Sequence, residues 1–203
     1  MSAPLLSAAF FLLKIAVNAN IFILTSIVIM SINKPKIGDK APEELNILVE
    51  IPLGEIKKFE LNPRTNSLEA ERVLATTLPF PFNYGFIPET LADDGDALDA
   101  MILSNQILAK GRIAVGRPVS ILKMTDEHGR DNKILVVPVN ETDENYSRIN
   151  DLTDLTLPMK EKISLFFKHY KETEKDRWSK VYEFGDKAEA IAAIRESINK
   201  YQK

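Results

Sequence analysis

The stretch Arg112–Val139, RIAVGRPVSILKMTDEHGRDNKILVVPV, decides how the fold is read. Its two ends, RIAVGRPVSILKM (112–124) and KILVVPV (133–139), are dense in Val and Ile, which suit a pleated, buried surface. Between them TDEHGRDN is polar and holds a glycine, so the whole predicts two strands joined by a hairpin. Pro118 and Pro138 lack a backbone donor and mark edges or bulges. Upstream, LNILVEIP (45–52) and IKKFELN (56–62) are further strand-like runs, separated by LGE with a turn glycine, and SLEAERVLA (67–75) follows the turn-rich NPRTN. Helical signals come late. Thr156 followed by Pro158 is a start signal, and Ile163, Phe166, Phe167 and Tyr170 fall at helical spacing. A last helix is predicted from Asp186, paired with Glu189 as a capping box, to about Tyr201. Strands followed by helices give an α+β class with a curled sheet or small barrel at its core.

The 203 residues are 45% hydrophobic and 27% charged, the balance of a globular chain, and the net charge of −3 disfavours a non-specific nucleic-acid binder. With no cysteine, disulfides, thiolate nucleophiles and Cys-type zinc sites are excluded. Only His128 and His169 are available for imidazole chemistry. Residues 1–33 are an apolar extension to a single domain over 34–203. The extension has three readings: a mis-assigned start with the working protein beginning at Met30, a membrane anchor, or a cleaved signal. Its length suits a span of roughly 20 apolar residues. Lys14 inside it would cost about 2.5–3.5 kcal/mol on insertion, and the leading MSAPLLS lacks the basic residue of a signal.

Residues 92–100, ADDGDALDA, place Asp93, Asp94, Asp96 and Asp99 within seven positions and no basic residue among them. An EF-hand is excluded, because position 12 counted from Asp94 is Asn105 rather than a glutamate. If Asp94–Asp96 is extended, their side chains leave on one face, and Asp99 returns to the same point after a turn. Such oxygen donors suit hard, partly hydrated ions, above all Mg²⁺. Asp126 and Asp131, at the two ends of the hairpin, extend the basin. The plain alternative is a solvated acidic loop. Against it stands the apolar lead-in PFPFNYGFIP (79–88). Lys58, Arg72, Lys133 and Lys171 would, together with metals, clamp a phosphate-type polyanion.

These blocks resemble the soluble family I inorganic pyrophosphatases in their short bacterial form. NYGFIPETLADDGDALDAMIL is similar to that family's acidic motif. EIP (50–52), KKFEL (57–61), ER (71–72), GRPVSILKMTDEHGRDNK (116–133) and FFKHYKETEKDRW (166–178) follow in the family's order, covering about residues 43–185. The resemblance implies a closed five-stranded OB-like barrel with helices outside, Mg²⁺-dependent hydrolysis of pyrophosphate, a cytoplasmic enzyme and a homohexamer. Mn²⁺ or Zn²⁺ would substitute for Mg²⁺. It further implies that Asp94, Asp99 and Asp131 hold the activating Mg²⁺ pair, that Asp126 and Glu50 help hold further ions, and that Asp96 takes the proton of the attacking water. Lys58, Arg72, Tyr84, Lys133, Tyr170 and Lys171 would grip the two phosphoryl groups.

The sequence departs from the family pattern at Phe80, often a tyrosine, and at Ala97, often a proline. The Glu50–Lys58 connection is one residue shorter than usual, which makes Lys57 a rival to Lys58, and Asp93 is an added charge without a role. Taken singly, Tyr84 and Tyr170 read as core tyrosines, Lys171 as a solvated helix lysine, Lys58 and Arg72 as surface ion-pair partners, His128 as a turn residue, His169 as a surface helix residue and Trp178 as packing. Rival functions are a polyphosphate or nucleotide hydrolase, an OB-like nucleic-acid module and a membrane-tethered scaffold. The first has no Gly-x-x-x-x-Gly-Lys-Ser/Thr loop to support nucleotide binding, and the second would want a basic groove where this chain is acidic.

Overall fold

The computed structural model describes residues 35–62, 67–73, 78–141 and 143–203, with the backbone alone for 57–62 and 67–73. Its strands are β1 (Leu45–Ile51), β2 (Lys57–Asn62), β3 (Ser67–Val73), β4 (Asn83–Phe86), β5 (Asp99–Ile102), β6 (Ile113–Asp126), β7 (Gly129–Arg130), β8 (Lys133–Pro138) and β9 (Ser179–Gly185). The helices are α1 (Glu144–Ser147), α2 (Leu157–His169) and α3 (Lys187–Tyr201), with a 3-10 turn at Leu152–Asp154. The main sheet runs β1-β4-β5-β8-β6-β7; β9 pairs with β6, and β1 pairs with β6 as well as with β4. Only β5 and β8 are parallel, so the sheet is mixed. β2 and β3 form a separate antiparallel ladder.

The hairpin legible in Arg112–Val139 is present: β6 and β8 pair antiparallel along the whole of β8, with a bulge between Pro118 and Ser120. Pro118 therefore sits at a bulge in a central strand rather than at an edge. All six residues of β8 are buried, which explains why KILVVPV reads as an unbroken apolar run. Alternate residues serve two cores. Leu135 and Val137 join Ile51, Phe82, Tyr84, Met101 and Leu122 beneath α2, while Ile134 and Val136 join Leu45, Ile47, Val49, Ile102 and Ile121 beneath α3. Each such aliphatic side chain contributes roughly 1.5–3 kcal/mol when fully buried.

α2 begins as its sequence predicts, with Thr156 Oγ1 accepting from the Met159 amide at 3.4 Å. It buries Ile163, Phe166 and Phe167, one stripe of a 3.6-residue period. α3 opens on the Asp186–Glu189 capping box: the Glu189 amide donates to Asp186 Oδ1 at 2.9 Å and the Asp186 amide to Glu189 Oε2 at 3.0 Å. Ala190 and Ile194 seat it on the second core. β9 departs from the expected order of strands followed by helices. It lies between α2 and α3 and pairs with β6, and its mixed exposure leaves little apolar signal in SKVYEFG. Trp178, read as packing, is half exposed. Residues 1–33 lie outside the described residues, so none of the three readings of the extension is tested. No helix among the described residues is long and apolar enough to cross a membrane.

Candidate active site

Parallel pairing of β5 with β8 places Ala100 beside Ile134, and so brings the first residues of the two strands, Asp99 and Lys133, together. Lys133 Nζ donates to Asp99 Oδ2 at 2.5 Å and also to Asp131 Oδ1, the residue two before it in the chain. Asp131 is held at the strand entrance by its own amide, which donates to the Met124 carbonyl at 3.0 Å. Lys133 is only 3% exposed. Burial opposes its charge, but Asp99, Tyr84 and Asp131 outweigh that and hold the ammonium firmly protonated. Burial, with Asp99 adding repulsion against the pull of Lys133, pushes the Asp131 carboxyl up to about 6.

Aromatic rings roof this pair. The Tyr84 ring on β4 lies 5.9 Å from Lys133 Nζ. Tyr170, at the end of α2, stacks on Phe166 with ring centroids 5.5 Å apart. Burial, reinforced for Tyr84 by Asp99, raises both phenols well above their ordinary value, so both remain hydroxyl donors. Phe80 packs at 5.2 Å from Tyr84 and 4.6 Å from Phe166, between the rings rather than toward solvent.

A second lysine repeats the arrangement at the hairpin. Lys171, expected to be solvated when read alone, is buried. Its Nζ donates to Asp126 Oδ2 at 2.8 Å and to both Glu127 oxygens at 3.1 Å. Asp126 also accepts from the His128 amide at 2.8 Å. Burial would raise the Asp126 carboxyl, yet Lys171 and that amide more than offset it, and the net shift is downward. Glu127, which sequence reasoning passed over, is the anchor of Lys171 and further accepts from the Trp178 amide at 3.3 Å. Its signal was its place beside Asp126 in TDEHG.

The structure therefore brings Tyr84, Asp99, Asp126, Asp131, Lys133, Tyr170 and Lys171 together. Glu50 is buried on β1 where the register with β4 shifts between Val49 and Ile51, so it occupies a bulge. Gly85, opposite Val49, lies so close to β1 that a Cβ there would strike the Leu48 carbonyl. Lys58 and Arg72 are direct partners in the β2–β3 register, and Lys57 pairs with Val73; their side chains are outside the description.

The acidic loop differs from its extended reading. Asp93 and Asp94 sit in a turn, Gly95 takes φ +94°, and the Ala92 amide donates to the Asp96 carbonyl at 2.7 Å. Glycine is what permits that positive φ. Asp94 Oδ1 accepts from the Asp96 amide at 3.0 Å, so the two acids cap one turn instead of leaving one face of a strand. Both are exposed, and no three Asp, Glu or His side chains among the described residues converge tightly enough to hold one ion. The convergence expected of Asp94, Asp96 and Asp99 is thus replaced by lysine-bridged carboxylates. The donors are nonetheless all carboxylate oxygens, and a single ammonium, Lys133, bridges two of them. That chemistry fits hard divalent cations.

A family model described as inorganic pyrophosphatase matches residues 47–202. The chain belongs to the inorganic pyrophosphatase family. It is 44% identical over 163 residues to the inorganic pyrophosphatase of Saccharolobus solfataricus, spanning 80% of this chain and 95% of that one. Against the Aquifex pyrophilus inorganic pyrophosphatase the identity is 40%, over 82% and 94% of the two chains. The crystal structure of the Thermus thermophilus inorganic pyrophosphatase superposes with a TM-score of 0.79 at 36% identity, over 85% and 99%. The Helicobacter pylori inorganic pyrophosphatase gives a TM-score of 0.80 at 35% identity, over 84% and 100%. Members of this family hydrolyse inorganic pyrophosphate and depend on Mg²⁺, and this chain is an enzyme of that activity.

Proposed function

We propose that hydrolysis takes place over the Lys133–Asp99–Asp131 centre, with Asp94, Asp99, Asp126, Asp131 and Glu50 holding Mg²⁺ ions and Asp96 serving as general base. The observation that carries this is the pair of buried lysines, each bridging two carboxylates: Lys133 between Asp99 and Asp131, and Lys171 between Asp126 and Glu127. Bound divalent cations supply a water of lowered pKa and charge neutralisation. Mn²⁺ and Zn²⁺ offer the same kind of chemistry to these oxygens. The residues of the chain do the rest. Asp99 and Asp131 present oxygen donors whose mutual repulsion is relieved only in part by Lys133. Asp96, exposed at the loop tip, accepts the proton of the attacking water in this reading. Lys133 and Lys171, with Lys58 and Arg72 from the β2–β3 ladder, grip the phosphoryl oxygens and stabilise charge as it gathers on the leaving phosphate. Tyr84 and Tyr170 remain protonated and donate hydrogen bonds to those oxygens.

The cyclic pairing β1-β4-β5-β8-β6-β1 supports a closed five-stranded OB-like barrel as the frame of the site. A homohexameric, cytoplasmic enzyme formed by the domain 34–203 completes the proposal, on the strength of the family alone. The test is phosphate release from pyrophosphate with Mg²⁺ and with chelator, for wild type and Asp96→Asn. The expected result is turnover abolished by chelator, and a rate lower by about 10²–10⁴-fold in the variant at unchanged stability. Equal rates for the two proteins would remove Asp96 as the base.

A further inference from the structure

Asp93 and Arg130 have no part in the centre described above, yet each stands next to a proposed metal ligand, Asp94 and Asp131. They meet. Asp93 Oδ2 accepts from Arg130 Nε at 2.6 Å and Asp93 Oδ1 from Lys200 Nζ at 2.5 Å. On the other side Glu196 Oε1 accepts from Arg130 Nη2 at 2.7 Å and lies 2.6 Å from Lys200 Nζ. The four side chains close a ring of alternating charge that joins three segments distant in sequence: the acidic loop, the hairpin strand β7 and the last turns of α3. The Leu91 amide adds a backbone tie, donating to the Ser197 carbonyl at 3.0 Å.

We propose that Asp93, Arg130, Glu196 and Lys200 are positioning residues, a clamp that sets the acidic loop against the hairpin and so fixes Asp94 relative to Asp131 for cation binding. This rests on the reading of Asp94 and Asp131 as metal ligands. The loop's internal bonds, Ala92 to Asp96 and Asp96 to Asp94, fix the shape of the turn. The ring fixes where that turn sits. Its anchor is α3, seated by Ala190 and Ile194 and further tied to β6 through Lys123 and Glu189 at 2.5 Å.

Two simpler accounts make different predictions. Exposed ion pairs that act only on folding would leave cation binding untouched. A general field effect would follow charge alone: removing Lys200 would tighten cation binding, and removing Asp93 would weaken it. A clamp is weakened by loss of any member, whatever its sign.

The test measures Mn²⁺ binding to substrate-free protein by electron paramagnetic resonance, together with the Mg²⁺ dependence of kcat and the urea unfolding midpoint. The variants are Asp93→Asn, Glu196→Gln, Lys200→Met and Arg130→Lys, with Asp131→Asn as control. Asp93→Asn, Glu196→Gln and Lys200→Met are each expected to weaken Mn²⁺ binding about three- to tenfold, the scale of a small surface network. kcat at saturating Mg²⁺ stays within about twofold, and Arg130→Lys, which keeps the positive charge, retains more of the affinity than those three. Tighter binding in Lys200→Met, or unchanged binding in Asp93→Asn and Glu196→Gln, overturns the clamp. Wild-type affinity in Asp131→Asn would instead overturn the metal-site reading beneath it.

Discussion

Two sets of ion pairs meet at the hairpin, where Arg130 precedes Asp131, and obey different physics. Around Lys133 and Lys171 the charges are buried: Lys133, Lys171, Asp126 and Asp131 are each under a tenth exposed. Around Arg130 and Lys200 the side chains remain a third to a half exposed. Buried charges lose hydration, so each must find partners or titrate, and removing one partner leaves the other stranded. Exposed charges keep their water, so their pairs contribute little to stability and act chiefly through geometry. In the proposed reading, the same chemistry therefore serves catalysis inside and positioning outside.

The sharpest way to break this contrast is Lys133→Met. With its ammonium gone, buried Asp131 faces the part-buried Asp99 without the cation that bridged them. Urea denaturation of the metal-free protein is expected to show a loss of about 3–5 kcal/mol, partly restored by Mg²⁺. A loss under about 1 kcal/mol would mean the interior pair behaves like the surface ring.

Next in size is the pH response of Asp131. Its folded pKa of about 6 lies above the ordinary aspartate value of 3.8. The folded state therefore takes up a proton that the unfolded chain does not, between about 4 and 6. This proton-linked stability is present below about 4 and is lost as pH rises through about 6. Metal-free wild type should become less stable over that window while Asp131→Asn shows a flatter profile. Mg²⁺ competes with that proton, so calorimetric titrations at pH 5 and 7.5 should give weaker binding at the lower pH. Identical affinities would place Asp131 outside the metal set.

The smallest effect belongs to the surface. Arg195 and Glu43 pair at 2.9 Å with both side chains more than half exposed. Glu43→Gln should move the unfolding free energy by less than about 0.5 kcal/mol, and a larger shift would blur the distinction between inside and outside.

Much of the frame was legible because hydrophobic period and capping residues are local signals. The β6–β8 hairpin, Thr156 before α2 and the Asp186–Glu189 box before α3 were all readable in the sequence. β9 was not, since a strand with exposed residues on both faces carries no strong alternation. The family followed from ordered blocks of sequence, whereas the geometry of the candidate site did not. The turn at Gly95 depends on a positive φ that the letters DGD permit but do not impose. Lys171 reads as an ordinary helix lysine until Asp126 and Glu127, more than forty positions away, close around it. Asp93 looked superfluous because its partners come from β7 and α3, and no local pattern announces a ring closed at such separations.

Gly85 carries a consequence for how this enzyme could change. Because no side chain fits between it and the Leu48 carbonyl, β1 and β4 are locked at contact, and Glu50 and Tyr84 are locked with them. Even alanine at position 85 would wedge the two ribbons apart and displace a proposed cation ligand and a proposed phosphate donor in a single stroke.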